Sequence, residues 1–482
     1  MISEISFVLD GEIVTIDFRE PSPLRPTTTV LNYLRSLPTH KGVKEGCAEG
    51  DCGACTVVLG QLSESSSIQY RNIDSCLLFL PALHGKHLIT VENLKDNAGG
   101  LHPVKHEMVE TGGSQCGYCT PGFVMSLFSL YKNSDHPTRE QIDDSLTGNL
   151  CRCTGYRPII EAAANACVNK GMDHLAKQES QVARLLKSIP RESLHLKTLT
   201  QEYFKPRTKA EALSLKHDHP DAIVVCGATD VALRVTKRHE LLPKIIDLAD
   251  VEEFKNVDEG STALKIGAAV PLNDVMSVVK ANYPALHEML TVFGSQQIRN
   301  VATLGGNLGT ASPIGDTLPV LMAYGARIVL ESTMGTRELP LDGYFVGYRK
   351  TARAEDELIT AIVIPKAQNG RVVRSYKVSK RKDLDISTVS GGFKVEVGKD
   401  GRVRDVMLAY GGMAERTKRA ASAEKYLLGK QWSREVVEEA MPLVDKDFTP
   451  ISDARAGAEF RKVAARNLLL KFWNDTKAMI ND

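Results

Sequence analysis

The first part of the chain alternates apolar and polar positions with the two-residue period of β-strands. Residues 5–9 alternate in this way, Asp10-Gly11 is a two-residue hairpin signal, and residues 13–18 fit the returning strand. The threonines at 27–29 can cap a short helix that follows them. A further strand is predicted over residues 56–59. Two hairpin strands, a helix and more strands make an α+β pattern.

From residue 102 to residue 170 the apolar period becomes helical. One helix is predicted over residues 102–110, and Thr120-Pro121 supplies a capping hydroxyl followed by a proline at the start of a second. Thr138 and Gln141 have the spacing of a capping box for a third helix, and Pro158 opens a fourth. Four short helices in succession predict a helical bundle.

The rest of the chain is predicted to hold a linker and two more α+β domains. Residues 171–197 are charged and mixed, which is typical of a surface linker. Strand-like runs then alternate with helical ones over residues 223–226, 265–270, 327–331 and 358–364. A last unit starts near residue 376, where two strands flank the turn 398–401. The predicted division is therefore 1–92, 93–170, 171–197, 198–375 and 376–482.

Composition and charge narrow the class of protein. The 482 residues are 43% apolar and 25% charged, which is typical of a globular chain with several domains. The formal net charge is +1, so we expect no nucleic-acid partner. No apolar run approaches the roughly 20 residues that cross a bilayer, and the acidic start does not resemble a signal peptide. We therefore expect no membrane association and a cytoplasmic location.

Cysteines are concentrated near the N-terminus, with nine of the ten lying between Cys47 and Cys167. In a reducing compartment such clustering indicates metal or redox chemistry before disulfides. Cys47, Cys52 and Cys55 have the C-x4-C-x2-C spacing of plant-type [2Fe-2S] ferredoxins, with Cys76 as the fourth thiolate. Intervening glycines would let the backbone wrap closely around the cluster, with amide N–H groups pointing at sulfur. The alternative is a four-cysteine zinc site or a set of reduced structural thiols.

A second cysteine set comprises Cys116, Cys119, Cys151 and Cys153. Alone it also fits structural zinc, but each pair directly precedes a predicted helix. Two helix N-termini would therefore present unpaired N–H groups to one negatively charged cluster. Cys167 and Cys226 lie outside both sets and are predicted to be small buried hydrophobic residues rather than ligands.

Two further segments are rich in small residues. Val224-Val225-Cys226-Gly227-Ala228-Thr229-Asp230 is a strand that runs into a turn, and Gly305-Gly306-Asn307-Leu308-Gly309-Thr310-Ala311-Ser312 is denser still. Backbone N–H groups in such segments can bind a pyrophosphate without a lysine. Taken alone, each segment is more typical of an ordinary turn. The chain has neither the G-x-G-x-x-G that follows a strand in Rossmann folds nor a P-loop motif.

The stretches CAEGDCGAC, SQCGYCTPG and GNLCRCTGYRPI closely resemble the iron-sulfur portion of the xanthine dehydrogenase and aldehyde oxidase family of molybdenum hydroxylases. FGSQQIRNVATLGGNLGTASPIGD resembles the FAD-binding signature of the same family. The resemblance implies a ferredoxin-like β-grasp domain, a four-helix [2Fe-2S] bundle, a vanillyl-alcohol-oxidase-like FAD domain and a C-terminal α+β domain. It also implies that Gln115 lies near a molybdopterin.

Flavin contacts are implied by the same resemblance, residue by residue. Val224 to Val231 match the first pyrophosphate loop, and Gly306 and Asn307 lie in the second segment. Phe293, Thr303, Asp316, Ile359 and Lys377 match further FAD contacts, with Ile359 in place of an expected leucine and Thr303 in place of a serine. Tyr348 matches a position beside the nicotinamide approach but is equally typical of packing. Residues 380–385 match a loop beside the flavin, although such a charge run is usually solvated.

The resemblance finally implies a function. The chain stops where fused relatives continue into a molybdopterin-binding portion, so it resembles the small, electron-transfer subunit of a xanthine dehydrogenase. Electrons would pass from molybdenum on a large partner subunit through two [2Fe-2S] clusters to FAD and then to NAD, with no catalytic side chain on this chain. A heterotetramer of two small and two large subunits is expected. The alternatives are an equivalent subunit for aldehydes or other N-heterocycles, and a non-catalytic iron-sulfur and flavin sensor or carrier.

Overall fold

The computed structural model describes residues 1–19, 22–63, 65–96, 99–168, 170, 173–366 and 370–478. The chain divides into two compact units. The first unit comprises Met1–Arg207, Asp221–Asp250 and Gly294–Ala302, and the second comprises Thr208–Pro220, Val251–Phe293 and Thr303–Asp482. Helices and strands are mixed in both units, which confirms the predicted α+β class. Residues 198–375, predicted as one domain, contribute to both units.

Strands give way to helices over residues 1–168. The elements are β1 (Glu4–Leu9), β2 (Glu12–Asp17), α1 (Val30–Ser36), β3 (Thr56–Leu62), β4 (Ile68–Asp74), β5 (His87–Ile89), α2 (Pro103–Glu110), α3 (Thr120–Asn133), α4 (Arg139–Leu146) and α5 (Arg157–Val168). Short 3-10 helices occupy Leu80–Leu83 and Val91–Asn93.

Short helices and strands follow over residues 173–302. They are α6 (His174–Ser188), β6 (Leu194–Lys197), β7 (Glu202–Lys205), α7 (Lys209–Asp218), β8 (Ile223–Val225), α8 (Ala232–Thr236), β9 (Lys244–Asp247), β10 (Val257–Glu259), β11 (Ala263–Gly267), α9 (Leu272–Val279), α10 (Pro284–Thr291) and α11 (Gln296–Arg299).

The remaining elements include the longest strands and the longest helix of the described chain. They are α12 (Leu304–Thr310), α13 (Thr317–Tyr324), β12 (Arg327–Ser332), β13 (Gly335–Pro340), α14 (Leu341–Tyr344), β14 (Phe345–Gly347), β15 (Lys350–Thr351), β16 (Leu358–Pro365), β17 (Arg371–Val378), β18 (Val389–Val397), β19 (Val403–Gly411), β20 (Lys418–Arg419), α15 (Ala421–Leu427), α16 (Arg434–Val444) and α17 (Ala458–Thr476).

The N-terminal strands of the first unit form a five-stranded sheet in the order β2-β1-β5-β3-β4. β1 and β2 pair antiparallel through the predicted hairpin, where Asp10 (φ 53°) and Gly11 (φ 81°) both adopt left-handed conformations. β1 pairs parallel with β5. The hydroxyl of Thr29 caps α1 by accepting from the Asn32 amide, as the threonine run predicts.

Four helices form the predicted bundle, α2 to α5. The predicted capping box at the start of α4 is present, because the Thr138 and Gln141 side chains each accept from the other's backbone amide. Apolar side chains of all four helices share one buried cluster. β4, which pairs with β3, was not predicted, because apolar and polar residues alternate only from Ile68 to Arg71 and Asn72 then breaks the pattern.

The predicted linker over residues 171–197 is wrong in one respect, since it contains α6 and β6. Leu175, Val182 and Leu186 of α6 join the buried cluster of the helical bundle. Their helical spacing is diluted by intervening charged residues, and the side chain of Asp173 caps the helix by accepting from the Ala176 amide. Residues 171 and 172 lie outside the described part. β6 belongs to a second sheet of the first unit, with the order β6-β7-β9-β8.

The second unit contains two larger sheets. One has the order β10-β11-β16-β12-β13, and the other has the order β17-β18-β19-β20. β18 and β19 form the predicted hairpin around residues 398–401. The predicted boundary between residues 375 and 376 falls inside β17, which pairs with β18 along its whole length. Among the described residues, none of the helices combines the length and apolar character that crossing a bilayer requires.

Candidate cofactor-binding sites

Backbone amides point at sulfur in the first cysteine loop, as the glycine-rich sequence predicts. The amide of Cys47 donates to Sγ of Cys52 over 3.3 Å, and the amide of Asp51 donates to Sγ of Cys47 over the same distance. The amide of Glu49 lies 3.5 Å from Sγ of Cys47. Donors directed at sulfur stabilise a negatively charged thiolate. This loop therefore has the wrapped backbone that an anionic iron-sulfide core needs.

Gly53 and Gly46 allow the loop to close. Gly53 has φ +66°, and a Cβ at that position would lie 2.3 Å from the carbonyl oxygen of Gly148. A Cβ on Gly46 would lie 2.7 Å from Sγ of Cys52. Both contacts are closer than carbon can approach these atoms, so side chains are excluded at both positions.

The eight predicted ligands approach one another in pairs. Cys47 lies close enough to Cys52 for each thiol to shift the pKa of the other, and the same holds for Cys55 with Cys76, Cys116 with Cys153 and Cys119 with Cys151. No group of three or more His, Cys, Asp or Glu side chains in the described ranges is arranged around one metal ion. Each iron of a [2Fe-2S] cluster takes two cysteine thiolates, whereas structural zinc takes four ligands. Pairs of neighbouring thiols are the unit from which such a cluster site is built.

In two of the four pairs, hydrogen bonding lowers the pKa of one thiol and so favours its thiolate. The Cys52 thiol lowers the pKa of Cys47 to about 5. In the second set the backbone amide of Tyr118 and the Cys153 thiol lower the pKa of Cys116. The pKa of the partner thiol, Cys52 or Cys153, is raised in each case, so one thiol of each pair is favoured as the thiolate that binds iron.

The second cysteine set lies where two helices begin. Cys119 is the N-cap residue of α3, and both the amide and the hydroxyl of Thr154 point at Sγ of Cys151. α5 begins three residues after Thr154. Cys116 and Cys153 are exposed, whereas Cys55 and Cys76 of the first set are buried. The first set is therefore the more buried of the two, and the second opens at the surface of this chain.

The two remaining cysteines differ from each other. Cys167 is 2% exposed within the core of the helical bundle, as predicted for a small hydrophobic residue. Cys226 is only half-buried, because it follows β8 in a turn rather than lying in a core. Its prediction as a fully buried residue is wrong.

The first small-residue segment has the form expected of an anion-binding turn. β8 ends at Val225, and Gly227 (φ +81°) and Ala228 (φ +58°) then reverse the chain before α8. A Cβ on Gly227 would lie 1.9 Å from the carbonyl oxygen of Val301, so only glycine fits. No acceptor in the described part of the chain faces the amides of Gly227 and Ala228. Both N–H groups are available to a ligand.

The second small-residue segment is a helix instead of an open loop. The amide of Gly306 donates to the hydroxyl of Thr303 over 3.0 Å, and that of Asn307 donates to the carbonyl of Thr303. The amide of Gly305 donates to Ala268. These three amides therefore have acceptors within the protein, and the pyrophosphate contact expected of this segment stays a prediction. The threonine at position 303 caps α12 and turns the glycine-rich run into a helix.

Several predicted flavin contacts nevertheless come together in the second unit. A Cβ on Gly309 of α12 would lie 3.3 Å from Ile359, and Asn307 accepts from the hydroxyl of Thr317 at 2.5 Å. Asp316, adjacent to Thr317, pairs with Lys377 at 3.0 Å, and both side chains are buried. Lys377 also donates to the carbonyl of Val292, next to Phe293. Oδ1 of Asp316 is buried without a hydrogen-bond partner in the described chain.

The other residues singled out from the sequence are exposed. Gln115 and the predominantly basic run from Lys380 to Lys382 lie at the surface. Arg381 pairs with Asp385 at 2.5 Å within its own loop. Tyr348 is 62% exposed, so packing does not account for it.

Sequence reasoning missed two fully buried polar residues, Gln297 and Arg299. Gln297 hydrogen-bonds to Thr56, Ser126 and Asn149, and Arg299 pairs with Asp144 at 2.5 Å. Their partners are more than 140 positions away along the chain, so no local pattern could have identified them. The only sequence signal is the presence of two strongly polar residues within a short helical turn.

Comparison with known protein families identifies three matches along the chain. A [2Fe-2S] binding domain matches residues 90–164, the FAD binding domain in molybdopterin dehydrogenase matches residues 197–367, and the CO dehydrogenase flavoprotein C-terminal domain matches residues 374–476. The first of these covers the second cysteine set. The FAD-binding match covers both small-residue segments.

Whole-chain comparisons agree with these domains. The chain is 33% identical to xanthine dehydrogenase/oxidase of Mus musculus, over 98% of this chain and 39% of the mouse protein. It is also 33% identical to xanthine dehydrogenase of Emericella nidulans, over 99% of this chain and 39% of that protein. The chain thus spans about two fifths of the length of these curated relatives. A solved carbon monoxide dehydrogenase from Hydrogenophaga pseudoflava is 27% identical, with a TM-score of 0.54 over 56% of this chain and 95% of the solved one.

Proposed function

Because the chain belongs to the molybdenum hydroxylase family, whose [2Fe-2S] and FAD-binding domains it carries, we propose that it is the electron-transfer subunit of a xanthine dehydrogenase. The bound groups would be two [2Fe-2S] clusters and FAD, which supply one-electron transfer and hydride exchange with NAD while a molybdopterin-bearing partner oxidises hypoxanthine or xanthine. The residues of this chain bind these groups and orient them.

The observation that carries the proposal is the pairing of eight thiols into two sets of two pairs. Cys47, Cys52, Cys55 and Cys76 would hold one cluster, and Cys116, Cys119, Cys151 and Cys153 would hold the other. Amides directed at Cys47, Cys52 and Cys151 would favour the thiolate state in both.

FAD contacts are proposed in each of the two small-residue segments, taken separately within their own units. The free amides of Gly227 and Ala228, within Val224 to Val231, would bind its pyrophosphate. Thr303 and Asn307 would act through their side chains and the helix that Thr303 caps. Asp316 and Lys377, joined in a buried ion pair next to Val292 and Phe293, would flank another part of the flavin.

A partner subunit would cover the second cysteine set. Cys116, Cys153 and Tyr118 are exposed on this chain, and a cluster held there would be open to solvent without a partner. We propose the large molybdopterin-binding subunit for this role, in a heterotetramer of two small and two large subunits, with Gln115 at the interface. Thiolate ligands to iron suit a reducing compartment, and we propose a cytoplasmic location on that ground.

The substrate is proposed from the relatives named xanthine dehydrogenase, each one-third identical over nearly the whole of this chain. Aldehydes and other N-heterocycles are the alternative substrates, because the pocket that selects among them would lie on the partner. Identifying the large subunit that copurifies, and assaying the complex with each substrate class, separates these cases.

The direct test is to purify the full chain, measure its metals and record its visible spectrum before and after adding NADH. We expect two irons and two acid-labile sulfides for each of the two clusters. We also expect bound FAD that NADH reduces and an artificial acceptor reoxidises. Zinc in either cysteine set would contradict the cluster assignment.

The same experiment distinguishes the sensor or carrier alternative. Iron-sulfur absorbance with flavin that NADH does not reduce would exclude NAD as the acceptor and favour a non-catalytic role. Xanthine oxidation should require addition of the partner subunit. Xanthine oxidation by the pure chain alone would contradict the proposed division between two subunits.

A further inference from the structure

Residues 294–302 belong to the same compact unit as both cysteine sets, although the sequence resembles a flavin-binding signature there. Ser295, Gln297 and Arg299 are fully buried, and Ser295 caps α11 by accepting from the Ile298 amide. Three buried polar residues in so short a segment are costly unless their polar atoms are satisfied. Their partners therefore indicate what the segment does.

The side-chain amide of Gln297 meets three oxygen atoms. Nε2 lies 3.0 Å from Oδ1 of Asn149, 3.2 Å from Oγ of Ser126 and 3.4 Å from Oγ1 of Thr56. The hydroxyl of Ser126 donates its proton to Oδ1 of Asn149, and the hydroxyl of Thr56 donates its proton to the carbonyl of Gly53. All three oxygens are therefore acceptors toward Gln297, which fixes the amide with nitrogen facing them.

These partners connect directly to the two cysteine loops. Nδ2 of Asn149 donates to the carbonyl of Gly53 over 3.0 Å, and Gly53 adjoins Cys52. The amide of Leu150, adjacent to Cys151, donates to the carbonyl of Cys52, also over 3.0 Å. The backbone of Cys52 and the residue that precedes Cys151 are thus joined in one hydrogen-bonded junction, and Gln297 is bound to it through Asn149.

The neighbours of Gln297 anchor the segment on both sides of this junction. Arg299 pairs with Asp144 of α4, in the helical bundle. Asn300 donates to the backbone and side-chain oxygens of Asn72 in β4, in the ferredoxin-like sheet. The segment is therefore fixed to the domain of each cysteine set, and Gln297 cannot shift without breaking one attachment.

We propose that Gln297 is a positioning residue that holds the two [2Fe-2S] clusters at a fixed separation and orientation. The inference rests on the proposed function, since it requires that both cysteine sets carry clusters. Electron transfer between centres depends steeply on their separation, so a rigid junction between the two cysteine loops would serve it directly. Gln297 binds neither cluster and acts through Asn149 and Thr56.

The experiment is Gln297→Leu in the full chain, which keeps the side-chain size but removes the amide. In the fully reduced wild type at low temperature, two neighbouring paramagnetic clusters should split each other's electron paramagnetic resonance (EPR) signals, and this coupling weakens with the cube of the distance. We expect Gln297→Leu to retain its iron and sulfide but to lose the resolved splitting, because the two loops adopt a range of separations.

Gln201→Leu is the matched control. Gln201 is also a buried glutamine of the first unit, donating to the carbonyl of Leu242 and accepting from Thr27, and among the described residues it has no hydrogen bond to a cysteine loop. It should lower thermal stability by a similar amount but leave the splitting unchanged. Loss of splitting in both variants would mean that general loosening of the unit is responsible, and would overturn the inference.

Ser126→Ala provides a second, milder variant that removes one acceptor of Gln297. We expect the EPR splitting of Ser126→Ala to be broadened but still resolved, in contrast to that of Gln297→Leu. Unchanged splitting in a Gln297→Leu protein that keeps both clusters overturns the inference, as does unchanged splitting in Ser126→Ala when Gln297→Leu fails to fold. Absence of two [2Fe-2S] signals in the wild type would instead contradict the proposed function.

Discussion

Position 53 requires a glycine, because of both its backbone angle and its close neighbours. Replacing it with alanine adds a Cβ 2.3 Å from the Gly148 oxygen at φ +66°. We therefore expect Gly53→Ala to lose the iron of the first cysteine set and to unfold at lower urea concentration. Gly85→Ala is the control, because Gly85 has φ +72° with nothing within 4 Å, so only the left-handed strain of about 1–2 kcal/mol applies. Equal effects of the two changes would show that the close approach is unimportant.

The pairing of the thiols makes a second prediction for single cysteines. Cys116→Ser should abolish the signal of the second cluster and leave the first, since its partner thiol is Cys153. Cys47→Ser should do the opposite, because Cys47 pairs with Cys52. EPR spectra of the two reduced variants and their iron content check this assignment. Loss of both signals in either variant would mean that the ligand sets are wrongly divided.

At the scale of single elements, β5 carries a histidine that should make stability depend on pH. Burial lowers the pKa of His87 from 6.5 to about 4, and its Nδ1 has no hydrogen-bond partner among the described residues. As the pH falls below 6.5 the unfolded chain binds a proton that the folded chain refuses, so folding stability falls until about pH 4 and then levels off. The total loss is about 3 kcal/mol at 1.36 kcal/mol per pKa unit.

Urea unfolding between pH 7.5 and 4 measures this loss in wild type and in His87→Gln. The variant has no ionisable group in β5, so its stability curve should be flatter over this range. His136→Gln, at an exposed histidine, should retain the wild-type slope. A wild-type slope that persists in His87→Gln would assign the pH dependence to other groups.

Elements with strong local signals could be predicted from the sequence, and those defined by distant contacts could not. Asp10-Gly11 and the Thr138–Gln141 capping box act within a few residues, so the hairpin and α4 follow from them directly. α6 was missed because only three of its side chains, Leu175, Val182 and Leu186, join the buried cluster of the bundle, and polar or charged residues occupy most of its other positions. α12 was missed because glycine runs disfavour helices unless, as here, a cap and tertiary packing outweigh their propensity.

The candidate site divides in the same way. The thiol pairs were accessible to prediction because ligand spacing within a loop is local. The role of α11 was not, because its buried side chains find partners in β3, α3 and α4, far away in sequence. The two small-residue segments look alike in sequence but differ in backbone geometry. The amides of Gly227 and Ala228 are free, whereas those of Gly306 and Asn307 have acceptors, and the sequence does not reveal this difference.

At the scale of the whole molecule, both cysteine sets belong to one compact unit, and α12 with the Asp316–Lys377 pair belongs to the other. Damage confined to the second unit should therefore spare the clusters. Gly305 is a suitable position for such damage, because a Cβ there would lie 2.6 Å from both the Cβ and the carbonyl oxygen of Ala268. Gly305→Ala must displace the start of α12 and with it Thr303 and Asn307.

We expect Gly305→Ala to lose FAD and NADH oxidation together while the spectra of both iron-sulfur clusters persist. Gly343→Ala is the control in the same unit, since nothing lies within 4 Å of a Cβ at that position. It should retain its flavin. Flavin content after gel filtration, iron content and NADH oxidation with an artificial acceptor are measured on the same samples. If Gly305→Ala keeps its flavin, α12 does not contribute to the FAD site; if it also loses iron, the two units do not fold independently of one another.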